Sequence, residues 1–165
     1  MESEPKDVIV LGSIRRGEKK FSNIQNETKI SPDELNSILE ELENKNFIKV
    51  EESKGWFGKK IELKITDEGS RELDKKIIEI QCKWEEMQSL YQSGDKQKLQ
   101  QKMEENKSFL PSMMFFGLID MMMFSMMFSM MGIGMSDYMS QENMPDESMD
   151  DDGMDDDGFD FDIGF

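Results

Sequence analysis

The first apolar cluster is "DVIVLGSI", residues 7–14, where Val8, Leu11 and Ile14 recur at every third position and Ile9 and Val10 add bulk. That spacing predicts a short buried helix ending near Gly17. Phe21, Ile24 and Thr28, at i, i+3 and i+7, predict a second helix. "SPDELNSILEELENKN" carries a full set of helix signals. Ser31 is placed to cap, Pro32 to open the helix, and Glu34 to return a capping-box bond. Leu35, Ile38, Leu39 and Leu42 then form one apolar stripe, and Asn44–Asn46 offers a left-handed stop.

Beyond Asn46 the period falls to two. "FIKVEES" and "KKIELKIT" predict strands, with Ile61, Leu63 and Ile65 alternating against Lys60, Glu62 and Lys64 on a half-buried sheet. "KGWFGKK" joins them as a Gly-bounded turn. Its aromatic pair, Trp56 and Phe57, either packs back on the core or stands exposed for a partner. "TDEG" closes the second strand and opens a long helix. In that helix Leu73, Ile77, Ile80, Trp84, Met87 and Tyr91 are spaced 4, 3, 4, 3 and 4, an a/d seam of nearly three heptads. Gly94-Asp95 interrupts it, and a polar helix with Leu99 and Met103 on one face follows.

From Phe109 to Met135 polar positions almost vanish, as in "SMMFFGLIDMMMFSMMFSMMGIGM" at residues 112–135. Eleven of the 17 methionines fall between Phe109 and Met139. Asp120 is the odd residue there, and is expected to break the run into two helical pieces, 111–119 and 121–131. From about Ser136 the chain turns into a low-complexity acidic tail with too little apolar mass to fold alone.

Charge sharpens this division. The net charge is −16, but residues 1–72 carry 13 basic and 16 acidic side chains, residues 73–108 carry seven of each, and residues 109–165 carry 13 acids and no Lys or Arg. The acidity belongs to the C-terminal part. The chain has no histidine, which removes His-based acid–base chemistry, His-activated nucleophiles and imidazole metal ligands. The single cysteine, Cys82, allows no intrachain disulfide and fits a reducing compartment, with a packing or surface role on its helix. The N-terminal residues have neither a basic n-region nor an apolar h-region, so no signal peptide is expected.

Three helices, a two-stranded hairpin and a long helix, in that order, carry a resemblance. "LNSILEELENKNFIKVE…WFGKKIELKITDEGSREL" resembles the stretch of winged-helix regulators that runs from the third helix, through the wing, to the dimerisation helix. "NFIKVE" is similar to their helix-to-strand step, and "LKITDEGSREL" to their L-T-x-x-G exit from the wing. The heptad helix is similar to the C-terminal helix of PadR-like and MarR-like regulators and of archaeal winged-helix proteins with a coiled-coil tail. The resemblance covers about residues 5–92. It implies duplex-DNA binding by a homodimer, with helix three in the major groove and the wing on the backbone or minor groove. On helix three Asn36 and Ser37 are the base-reading candidates, set among Asp33, Glu34, Glu40, Glu41 and Glu43. The phosphate-contact candidates are Arg15, Arg16, Lys19, Lys20, Lys54, Lys59 and Lys60, for which a solvated surface is the alternative.

The methionine run admits several readings. Thioethers suit Cu(I), but neither His nor Cys lies near them. A membrane span is long enough at 27 residues, yet Asp120 would cost about 2.5–3.5 kcal/mol on insertion scales and no Trp or Tyr belt brackets the run. An adaptable apolar partner site would be built from Met121, Met122, Phe124, Met126, Met127, Phe128 and Met130; its composition resembles the methionine-rich helices of signal-recognition particles and tail-anchored-protein chaperones. The last reading is burial at an intersubunit or interdomain contact. In the tail, "DDDGMDDDGFDFDIGF" fails as a calcium loop in both possible frames, lacking the Glu at position 12. Its end, with Phe159, Phe161, Ile163 and Phe165, resembles the acidic docking tips of single-stranded DNA-binding proteins, with Gly164 where those tips carry proline.

The expectation is therefore a mainly α protein with a small β-hairpin wing. Its parts are a winged helix at 5–69, dimerisation helices at 70–108, a Met-rich segment at 109–135 and a disordered acidic tail at 136–165. The expected function is a cytoplasmic, homodimeric DNA-binding transcription regulator without cofactor, metal or enzymatic activity. The alternative is a winged-helix scaffold or chaperone-like factor that binds proteins through the Met-rich segment and the tail. A membrane-tethered winged helix comes third.

Overall fold

A computed structural model of the chain describes residues 5–56 and 58–138. Its elements are α1 (Lys6–Arg15), α2 (Phe21–Thr28), α3 (Pro32–Asn44), β1 (Ile48–Gly55), β2 (Gly58–Ile65), α4 (Asp67–Gln92), α5 (Lys96–Glu105), α6 (Leu110–Phe115) and α7 (Met121–Met131). Single 3-10 turns lie at Lys107–Phe109 and Met135–Asp137. This is a winged helix-turn-helix followed by further helices, mainly α with a small antiparallel sheet.

α1 is buried from Val8 to Ile14, as befits a helix apolar on every side. It packs against α2, α3, α4, α6 and β2 and forms the centre of the molecule. α3 starts at Pro32 and stops through Lys45, with Asn46 left-handed at φ 60°. The expected capping box is absent. Ser31 makes no side-chain cap bond, and Glu34 instead accepts from the Lys6 ammonium at 2.9 and 3.0 Å. A full cation is the stronger partner for that carboxylate than a neutral amide.

The wing is a two-stranded antiparallel ladder running from Ile48↔Ile65 to Gly55↔Gly58. Along the outer edge of β2, the Leu63 amide donates to the Lys19 carbonyl at 2.9 Å, which ties the α1–α2 loop to the wing. Ile48 and Leu63 are buried at the base, but Ile61 is 55% exposed. The alternation in β2 is real, yet the ladder extends past the core beneath it, so its inner face is covered only at the base.

Thr66 joins the wing to α4. Its amide donates to the Phe47 carbonyl, its hydroxyl donates to the Asn46 carbonyl and accepts from the Gly69 amide at 3.0 Å. The T-x-x-G step is thus an N-cap welded to the α3–β1 connection.

Leu73, Ile80, Trp84 and Met87 of α4 are buried, and Ile77 and Tyr91 pack partly against the same cluster. The cover comes from this chain itself. The seam expected to dimerise is therefore filled internally, because periodicity specifies that a face is buried and leaves its partner open. α5 contributes Leu99 and Met103, α6 Leu110 and Met113, and α7 Phe124, Met127, Phe128 and Met131. Trp84 meets Phe124 with ring centroids 6.0 Å apart, and Phe124 meets Phe128 edge-on at 4.8 Å. One apolar cluster runs from Val8 to Met131. Asp120 breaks the run as expected and caps α7, accepting from the Met122 and Met123 amides at 3.0 and 3.3 Å. The first piece is shorter than expected, ending at Phe115. No described helix is long and apolar enough to cross a membrane.

Candidate nucleic-acid interface

α3 turns Leu35, Leu39 and Leu42 inward and leaves Asn36 and Ser37 exposed on its N-terminal half. Two of its acids are neutralised, Glu34 by Lys6 and Glu41 by Lys45 at 2.7 Å. The hydrogen bond to Glu41 holds the Lys45 ammonium above the usual lysine range. Glu40 and Glu43 stay exposed on the C-terminal half. Asp33 is likewise exposed, on the N-terminal half.

The wing supplies the positive charge. Lys54 and Lys59 face each other directly across the ladder and are exposed. Lys60 pairs with Glu62 at 3.0 Å and Lys64 with Glu51 at 2.7 Å. Those bonds hold the Glu62 carboxyl below, and the Lys64 ammonium above, their ordinary ranges. Trp56 at the tip is fully exposed, at 100%, and does not pack back on the core. Lys19 and Lys20 are exposed beside the wing base, where the Lys19–Leu63 backbone bond holds them. Lys19, Lys20, Lys54 and Lys59 make no ion pair among the described residues.

Two of the expected phosphate contacts, Arg15 and Arg16, are exposed and also engaged within the chain. Arg15 pairs with Asp74 of α4 and reaches Ser70. Arg16 pairs with Glu27 at 3.1 Å, donates to the Phe115 carbonyl at 2.6 Å and lies 4.2 Å over the Phe115 ring. A planar guanidinium suits that combined bond and stack. Both arginines hold the fold together. The buried Ser13 hydroxyl donates to Glu27 as well, so Glu27 joins α1 and α2. No local pattern pointed to Glu27 or Phe115, since the Arg16–Phe115 contact spans 99 positions. The Lys54–Lys59 rung was legible by counting outward from the two-residue turn.

The expected partner site is also divided. Phe124, Met127 and Phe128 are in the core, Met121 and Met130 are partly covered, and only Met122 and Met126 stand out, at 70% and 47% exposure. Cys82 is exposed on α4. Phe57 and the tail residues Phe159, Phe161, Ile163 and Phe165 lie outside the described residues. Among the described residues no group of His, Cys, Asp or Glu is arranged to hold a metal ion.

An exposed third helix and a basic two-stranded wing define a winged helix-turn-helix, an architecture of DNA-binding proteins. Residues 5–93 match the model of the HxlR-like helix-turn-helix family, and the chain belongs to that family, one of transcription regulators. The match stops where α5 is about to begin. Comparisons with curated proteins and with solved structures give no significant match.

Proposed function

We propose that the chain is a transcription regulator that binds duplex DNA as a homodimer. The N-terminal half of α3 enters the major groove, with Asn36 and Ser37 toward base edges. Lys19, Lys20, Lys54, Lys59 and Lys60 lie toward phosphates. Residues 5–69 are then the DNA-facing unit. The observation that carries this is the Leu63–Lys19 backbone bond, which brings the loop lysines and the wing to one side of the molecule. With the α4 seam filled, a second copy would meet the opposite face of α4, where Ile78 is 61% exposed.

A second reading rests on Met122 and Met126, one turn apart and outward on α7. Thioether side chains there form a small adaptable apolar surface for a protein partner, with the acidic tail as a docking tip.

Titration of a mixed-sequence duplex with the full chain at low and moderate salt separates the two. DNA binding that falls steeply with salt, with a slope of roughly −0.9 per phosphate neutralised, supports the regulator. No binding at low salt sinks it. Light scattering giving a monomer at working concentration removes the homodimer.

A further inference from the structure

Where the wing projects past the core, one edge and one apolar face stay open. On that face Val50, Glu52 and Lys54 of β1 lie opposite Leu63, Ile61 and Lys59 of β2. Leu63 is buried, but Val50 is 40% and Ile61 55% exposed, and Lys54 and Lys59 are exposed beyond them. On the other face Lys49 is exposed and makes no ion pair among the described residues. The backbone of β1 is open as well. Leu63 directs its amide outward to the Lys19 carbonyl, so Leu63 and Val50 form a pair without mutual ladder bonds. By alternation Val50, Glu52 and Lys54 turn their amides and carbonyls away from β2. Among the described residues none of the three makes a backbone bond on that side. Such an edge is a template for one more strand.

The two faces select the strand. Successive side chains of a strand point to opposite faces, so the added one should alternate apolar groups for Val50 and Ile61 with acids for Lys49. Residues 159–165, "FDFDIGF", are apolar at Phe159, Phe161, Ile163 and Phe165 and acidic at Asp160 and Asp162, and three more acids stand at 155–157. Twenty residues separate Tyr138 from Phe159. Extended, they reach about 70 Å, several times the radius of gyration of about 14 Å expected for a fold of this size. We propose that residues 159–165 of this chain pair antiparallel with the open edge of β1. Phe159, Phe161 and Ile163 then cover Val50 and Ile61, Asp160 and Asp162 turn toward Lys49, and the acids at 155–157 lie beside Lys54 and Lys59. Tethering supplies an effective concentration on the order of millimolar, so weak pairing suffices. A duplex approaching Lys54 and Lys59 must then displace the tail; this consequence rests on the DNA-binding reading above.

The test follows amide hydrogen exchange in the isotope-labelled full chain without DNA, and the outward amides of Val50, Glu52 and Lys54 are its readout. In the wild type they should exchange on the order of tenfold more slowly than in the variant Phe159→Ser/Phe161→Ser/Ile163→Ser, as for an edge covered roughly nine-tenths of the time. The variant changes no described residue. Equal exchange in the two chains overturns the docking. Labelled variant mixed with excess unlabelled wild type identifies the source of the strand. Protection restored in that mixture assigns it to a second copy and overturns docking within one chain; no restoration supports it. At low salt the variant should also bind a mixed-sequence duplex on the order of tenfold more tightly, since the open edge is no longer a minor population. Lost protection with equal affinity removes the competition with DNA. Absence of duplex binding by both chains ends the regulator reading and leaves the exchange result to decide the docking.

Discussion

A Cβ built on Gly69 would lie 2.1 Å from the carbonyl oxygen of Phe47. The obstruction is backbone, and it is backbone with a duty: the same carbonyl accepts from the Thr66 amide at 3.0 Å. Glycine at this point of α4 is therefore a condition for docking the helix on the α3–β1 connection. Gly69→Ala is expected to reach or exceed the upper end of the roughly 1–3 kcal/mol typical of overpacking. Urea unfolding would show it; a loss under half a kcal/mol would mean the connection is free to shift.

The C-terminal helices cover Trp84 and Met87. Phe124→Ala should cost about 3–5 kcal/mol, the range for a large aromatic removed from a core. Truncation after Gln92 should leave α4 with its apolar side bare, and the product should self-associate or lose its cooperative transition. A truncated chain that unfolds with full-length stability and stays monomeric by light scattering would refute the packing described.

Asp120 holds the entry to α7 through two amides. Asp120→Ala should destabilise by about 0.5–2 kcal/mol, whereas Asp120→Asn, which keeps the accepting oxygen, should lose little. Equal thermal unfolding for the two variants would point away from a capping role.

Arg16 offers a check on the proposed interface. Arg16→Lys keeps the charge and gives up the planar stack on Phe115, at about 0.5–1 kcal/mol for an exposed cation–π contact. The salt slope of DNA binding should not move, because Arg16 faces Glu27 and Phe115. A shallower slope in this variant would make Arg16 a phosphate contact.

The wing should respond to acid. The hydrogen bond from Lys60 depresses the Glu62 carboxyl. A depressed folded pKa contributes stability in full above the unfolded value and loses it as pH falls through the folded one. The window thus lies on the acid side of the ordinary glutamate range. Carboxyl NMR titration should show the Glu62 midpoint rising in Lys60→Ala; an unmoved midpoint would exclude Lys60 as the cause.

What the residues disclosed in advance follows a physical line. "SPDEL" marked the start of α3 and Asn46 its left-handed stop, because both are local backbone requirements. Asp120 was legible as a break for the same reason. The apolar seam of α4 was legible as a buried face, but its cover was not, since any apolar surface satisfies the same stripe. The intrachain partners of Arg15 and Arg16 were not legible, because a positive charge near a helix-turn-helix has no local mark to show that Asp74 or Phe115 will meet it. Glu34 carries the matching lesson: its capping-box position was correct, and a distant lysine outbid the amide. Trp56 was open between two arrangements, and its full exposure was decided by how far the ladder projects beyond the core.

The apolar cluster that runs unbroken from Val8 to Met131 has a consequence for synthesis. The winged-helix elements leave the ribosome before α5–α7, and the surface that closes over Trp84 and Met87 is among the last described parts to emerge. At roughly 5–20 residues per second, the nascent winged helix waits some seconds with that side of α4 open. Its completion is timed by the arrival of the methionine helix, so the C-terminal segment sets when the regulator first becomes a finished fold.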